Sequence, residues 1–303
     1  VQETLTQLND PVFTIESTAA YDAGALVSRA QSDIAWRYAL YKLNSFVLNG
    51  GAGIYQSINL SGQLDRYEPG TGKGLSDLWL ADRAAMLAWK NKLATEDFRQ
   101  YDPGADYANA SYSDAPDAYF SDADSSVKIL LGAGLTVQAD KPHYLFGSDV
   151  LEGNTETLSG GNKNDHLYGQ GGNDRLIGND GDDYLEGGSG NDVVSGDSGK
   201  DTLYGGEGSD NLQGGSDNDL IYGDAESSTT RIGGNDTLTG GDGDDQLHGG
   251  AGGDVLSGGD GYDQLFGGFG DDLLDGGENA DVLQGSEGND LYRATNGNTI
   301  VDS

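Results

Sequence analysis

Residues 178–195 read GNDGDDYLE and then GGSGNDVVS, two nonapeptides in tandem. In both, the first and fourth residues are glycine (Gly178 and Gly181; Gly187 and Gly190), the sixth is aspartate (Asp183; Asp192) and the eighth is aliphatic (Leu185; Val194). Nine residues are too few for a helix and a loop. They suffice for a tight turn of roughly six residues and a strand of about three, the unit of a solenoid. Glycine permits the turn's positive φ and lets backbone carbonyls crowd together. In the short strand the apolar residue points inward and its neighbours point outward. Two successive units then close one coil with a turn on each side, so loops two units apart stack. Asp180, Asp182 and Asp183 faintly suggest a helix-flanked calcium loop, but no closing Glu follows.

The period of nine extends outward in both directions as G-G-x-G-x-D-x-U-x, with U a large apolar residue. Fourteen units begin at Gly160, Gly169, Gly178, Gly187, Gly196, Gly205, Gly214, Gly223, Gly240, Gly249, Gly258, Gly267, Gly276 and Gly285. The unit at Gly223 carries eight extra residues, Ala225 to Ile232. The sixth position is aspartate in all fourteen: Asp165, Asp174, Asp183, Asp192, Asp201, Asp210, Asp219, Asp236, Asp245, Asp254, Asp263, Asp272, Asp281 and Asp290. The eighth is Leu, Val or Ile in thirteen, from Leu167 to Leu283, and Tyr292 in the last. Upstream, Asp149 and Leu151 fall in register with one more unit, and a shortened unit places Glu156 where aspartate belongs.

Carboxylate oxygens suit Ca²⁺, which takes 6–8 oxygen ligands. The candidate metal ligands are the fourteen aspartates. The loop glycines, among them Gly160, Gly178, Gly187, Gly205, Gly240, Gly249, Gly258 and Gly267, are where backbone approaches the ion. One column stacks the loops from 160, 178, 196, 214, 240, 258 and 276; the other stacks those from 169, 187, 205, 223, 249, 267 and 285. Seven loops leave six gaps, so about a dozen sites are expected. Two weak points are expected. Lys163 replaces the fourth-position glycine of the first loop, as Asp217 and Asn279 do elsewhere. Asn and Asp tolerate left-handed backbone, and Lys does so less readily. The other weak point is the insertion after Asp224.

The fourteen units resemble the repeats-in-toxin (RTX) family of calcium-binding proteins. That resemblance implies a mainly β fold, a right-handed parallel β-roll over 147–293. It also implies Ca²⁺ between stacked turns, export by a type I secretion system, and folding on arrival outside the cell. A smaller α-rich or α+β domain, residues 1–146, is expected to cap the roll, and 294–303 to close it with a strand at Thr299–Val301. Only ten residues follow the last repeat. The family's export signal lies in a longer tail, so the chain is expected to stop before it. The start (Val1, Gln2, Glu3) is read as a cut from a longer protein.

Charge and composition agree. The chain of 303 residues has a net charge of −35. Residues 147–293 hold 32 acidic against 5 basic residues, so −27 belongs to the repeats. Nucleic acid and anionic membranes would be repelled. There is no cysteine, hence neither disulfide nor thiolate site. No apolar run is long enough for a transmembrane helix.

The first half is read as a helix over Ala25–Val47 ended by Gly50 and Gly51, and a second from an N-cap at Ser76 to Leu93. Trp36, Leu40, Leu43 and Val47 form the first apolar stripe; Leu80, Ala84, Leu87 and Ala88 form the second, with Trp79 and Trp89 beside it. Asp77, Asp82, Arg83 and Lys90 are read as surface charges. A hairpin is expected over Ile54–Leu64, a loop over 96–125 and one or two strands over Val127–Val137. Tyr101, Tyr107, Tyr112, Tyr119 and Phe120 could serve loop packing or a glycan or host surface. No H-E-x-x-H or G-x-S-x-G motif occurs, so neither a zinc protease nor a complete lipase core is read. His166 and His248, within repeats, are expected to face solvent. The alternative function is part of a secreted hydrolase, lipase-like or glycan-active, with a site in or upstream of 1–146; the plentiful acidic residues leave a paired-carboxylate site open.

Overall fold

The computed structural model describes residues 14–41, 46–49, 75–96, 118–122, 127–131, 141–147, 155–224, 233–293 and 297–301. The chain is mainly β, a parallel solenoid of about eight turns with a small helical part before it. It divides into two compact units, 1–67 with 74–101 and 68–73 with 102–303, so residue 147 falls inside the second unit.

In the solenoid each nonapeptide contributes one strand, and successive strands alternate between two sheets. One sheet has eight strands, from Thr157–Ser159 to Leu291–Arg293; the other has eleven. Pairing is parallel and advances by two repeats. Val194 sits opposite Leu176 and Leu212 in one sheet, and Leu203 opposite Leu185 and Ile221 in the other. The eighth-position side chains from Leu167 to Leu283 are fully buried and form one continuous ladder with Leu145 at its head. Both sheets face this single file of side chains, which is why the sequence needs only one apolar residue in nine.

The larger sheet begins before the repeats. His143–Phe146 pairs in parallel with both His166–Gly171 and Ala118–Asp122. Val127–Leu131 then closes that end antiparallel to Ala118–Asp122. Part of the 96–125 stretch read as loop is therefore a strand, with Phe120 buried against the Tyr144 ring at a centroid distance of 4.8 Å. At the other end Thr299–Val301 pairs with Val282–Glu287, as expected of a closing strand.

The outer face of the larger sheet carries a file of rings. Tyr204, Tyr222, His248 and Phe266 stack at 4.9, 4.7 and 4.6 Å. His248 lies half-buried between two rings and His166 lies between Tyr144 and Tyr184, which corrects the expectation that both face solvent freely.

In the first unit, the helix read over Ala25–Val47 is two helices and a strand. Helix α1 (Ala23–Ser32) starts on Asp22, whose Oδ1 accepts the Ala25 N–H at 2.8 Å. It stops at Asp33, which takes extended backbone, and α2 (Ile34–Tyr41) follows. Phe46–Asn49 is a strand antiparallel to Thr14–Ser17, in keeping with its β-favouring Phe and Val. Helix α3 (Asp77–Glu96) begins where read, with Ser76 Oγ accepting the Trp79 N–H at 3.0 Å. Asp82 and Arg83, read as surface charges, are buried. The Arg83 guanidinium donates to the Leu40 and Tyr41 carbonyls at 3.1 and 3.0 Å, satisfying the otherwise open C-terminal end of α2. Residues 54–64, 101, 107 and 112 lie outside the described residues, as do Asp149, Leu151 and the insertion 225–232.

Candidate metal centre

The loops owe their shape to two residues each with positive φ, at the second and fourth positions. In the loop from Gly187 these are Gly188 (φ 111°) and Gly190 (φ 132°). At three positions where glycine is replaced the backbone still turns left-handed: Asp197 has φ 78°, Asp217 75° and Asn279 74°. Short amide and carboxyl side chains accept this region. Two loops lack both turns: the first, with Gly161 and Lys163, and that at Gly223, with Asp224 and Gly234. These are the two weak points read from the sequence.

Glycine is needed here because oxygens fill the space a Cβ would take. A Cβ on Gly187 would meet the Asp192 Oδ2 and, at 2.6 Å, the Gly205 carbonyl oxygen of the next loop in the stack. Cβ atoms on Gly188 and Gly190 would collide with the Gln170 and Gly172 carbonyl oxygens of the loop before. A regular gap is thus lined by one carboxylate and by carbonyls of both loops.

The aspartates are stacked and buried. Each but the last of its column donates its backbone N–H to the Oδ1 of the aspartate in the next coil: Asp165 to Asp183 at 2.7 Å, and onward to Asp281 in that column. The second column runs likewise from Asp174 to Asp290. His143 and Glu156 head the two columns through their own N–H groups. Oδ1 is therefore satisfied, but Oδ2 is not. In thirteen of the fourteen, all but Asp165, Oδ2 is buried with no hydrogen-bond partner. A buried carboxylate oxygen without a donor is costly. Burial raises Asp183, Asp219 and Asp236 to about 8, with neighbouring aspartates adding to the rise. It raises Asp192, Asp210, Asp254 and Asp263 to about 7. Asp165 differs because its Oδ2 accepts the Gly161 N–H, in the loop whose Lys163 does not turn left-handed.

Three features escaped the sequence reading. The fifth position carries a second ladder running the opposite way: Asp182 N–H donates to Asn164 Oδ1, Lys200 to Asp182 and Ser209 to Asn191, at 3.0–3.1 Å. The signal was the recurrence of Asn and Asp there. The columns also end on neutral groups. Asn298 Oδ1 accepts the Asp281 N–H at 3.2 Å, taking the aspartate's place one coil on. The Tyr292 hydroxyl accepts the Gly285 N–H at 2.9 Å, which explains the one aromatic at the eighth position.

All fourteen predicted aspartates and the first-position glycines come together in these two columns. Among the described residues there is no cluster of three or more His, Cys, Asp or Glu side chains. A gap therefore offers one carboxylate and several carbonyl oxygens, a hard all-oxygen set that fits Ca²⁺ and is unlike the nitrogen and sulfur sets of zinc. The orphaned Oδ2 atoms are where a cation fits.

The RTX calcium-binding nonapeptide repeat family (4 copies) matches the chain at residues 152–185, 159–194, 177–212, 195–229, 232–265 and 266–301. No curated protein matches it.

Proposed function

Residues 152–301 make this chain a member of the RTX calcium-binding repeat family, and from that premise we propose that the ions sit in the stacked gaps and drive the folding of the roll. The ligands are the Oδ2 of each column aspartate, the first-position carbonyl of the loop after it and the second- and fourth-position carbonyls of its own loop. Calcium bound there supplies the positive charge that the partnerless Oδ2 atoms require.

One observation carries the reading: the buried, partnerless Oδ2 atoms recur in nearly every gap. In the column from Asp165, five interior gaps have such an oxygen (Asp183, Asp201, Asp219, Asp245 and Asp263). In the column from Asp174, six do (Asp174, Asp192, Asp210, Asp236, Asp254 and Asp272). Eleven sites follow, one fewer than the twelve gaps, because the gap after Asp165 holds no partnerless carboxylate oxygen.

Extracellular calcium is the natural trigger. Without it the columns are rows of buried like charges on a core one residue wide. The chain leaves the cell unfolded through a type I system in this reading, and the strands at 118–122, 127–131 and 143–146 serve as the roll's N-terminal cap. Among the described residues no helix is long and apolar enough to cross a membrane.

The test is far-UV circular dichroism at pH 8.5 with calcium counted in parallel. Excess chelator is expected to give a disordered spectrum for the repeats, and calcium to restore the β signal as about eleven ions bind. A β-roll spectrum that persists in excess chelator at that pH would sink the reading.

A further inference from the structure

The loop from Gly223 breaks the pattern yet leaves the stack intact. Eight extra residues follow Asp224. The strand before it is Leu220–Tyr222, three residues where its neighbours have six. Neither Asp224 nor Gly234 takes the positive φ found at the second and fourth positions of other loops. Even so, Asp210 N–H reaches Asp236 Oδ1 at 2.8 Å, and Asp236 N–H reaches Asp254 Oδ1 at 2.8 Å. The column continues across the insertion.

What changes is the lining of the gap between the loops from 223 and 249. Elsewhere the second-position glycine faces the second-position carbonyl oxygen of the loop before it: Gly188 faces Gln170, Gly206 faces Gly188 and Gly268 faces Gly250. Gly250 should face the Asp224 carbonyl. It faces the Asp224 side chain instead, with Oδ2 2.7 Å from where a Cβ would lie. The Asp224 carboxylate is buried, 6% exposed, and two backbone groups hold it in place. Oδ2 accepts the Ala251 N–H at 2.7 Å and Oδ1 accepts the Gly234 N–H at 3.3 Å. The same gap contains the Oδ2 of Asp236, 1% exposed and without a partner. The other second-position aspartate, Asp197, is exposed, and its carboxylate accepts from its neighbour Ser195.

We infer that Asp224 is an additional calcium ligand, its carboxylate replacing the backbone carbonyl that the insertion displaces. The gap between the loops from 223 and 249 then holds its ion with two carboxylates where the regular gaps have one. This rests on the calcium reading of the columns. It reverses the sequence-based expectation that the insertion weakens the adjoining site, because added ligand charge tightens a calcium site.

The experiment is flow dialysis of the full chain with calcium alone, comparing wild type, Asp224→Asn and Asp260→Asn. Asp260 is an exposed third-position aspartate, so its variant controls for the loss of one charge. Asp224→Asn is expected to weaken one ion by roughly tenfold or more and leave the others unchanged. Asp260→Asn is expected to match wild type. Binding by Asp224→Asn equal to wild type in number and affinity overturns the inference. Wild type that binds no calcium overturns the reading beneath it, a separate result seen in the first arm. Should Asp224→Asn fail to fold in calcium, the chain shortened by residues 225–232 and carrying Asp224→Gly decides. It regains an ordinary one-carboxylate loop and is expected to hold that ion more weakly than wild type; the wild-type number of ions bound with unchanged affinity would count against the inference.

Discussion

At the scale of the residue, position within the nonapeptide decides what a glycine is for. Gly190 and Gly253 both lie in loops, at the fourth and fifth positions. Gly190 has φ 132°, and a Cβ there would run into the Gly172 carbonyl oxygen. Gly253 is outside the left-handed region, and the nearest atom to its Cβ would be the Asp271 carbonyl oxygen at 3.2 Å. Gly190→Ala combines backbone strain with displacement of a cradle oxygen, so it is expected to cost about 1–3 kcal/mol or more in saturating calcium. Gly253→Ala should stay within about 0.5 kcal/mol of wild type. Equal urea midpoints for the two variants would refute the distinction. The aspartates and first-position glycines were legible because both chemistry and period mark them. The division of labour between Oδ1 and Oδ2 was not, since it depends on a neighbour 18 residues away along the chain.

At the scale of the element, one strand and its single inward side chain form the unit of stability. Leu203 is fully buried between Leu185 and Ile221 of the adjoining coils. Truncation there leaves a cavity between two sheets that cannot collapse without breaking register. Leu203→Ala is therefore expected to cost about 2–5 kcal/mol in calcium. Leu291, 64% exposed at the seventh position of the last repeat, is the contrast, and Leu291→Ala should be nearly neutral. Calcium-loaded unfolding curves of the two variants check the pair, and a small loss for Leu203→Ala would contradict the ladder. Strands repeating every nine residues were readable because each repeat restates the same instruction. The first unit has no such redundancy. Ser76 could be read as an N-cap from local chemistry, but the break at Asp33 could not. The burial of Arg83 depends on carbonyls 42 and 43 residues distant, which no local pattern reveals.

At the scale of the whole molecule, protons and calcium compete for the same oxygens. Burial holds eleven of the column aspartates, from Asp174 to Asp272, at values of about 6 to 8. In an unfolded chain an aspartate titrates near 4. The folded, calcium-free roll therefore binds more protons than the unfolded chain across that interval. Its stability is fully present below about 4 and is lost as pH rises through about 6 to 8. Calcium must displace those protons, so its affinity runs the other way and rises with pH over the same window. Two outcomes are expected. In chelator, the β signal should be greater at pH 5 than at pH 8.5. Calorimetric titration with calcium in buffers of differing ionisation heat should show protons released near pH 6.5, fading by pH 8.5. A calcium-free chain equally disordered at both pH values, with calcium affinity flat from pH 6 to 8, would mean that the buried carboxylates do not link folding to either ion. The coupling matters because each Oδ2 that receives neither a proton nor a cation destabilises the roll, and the columns add that effect along their whole length.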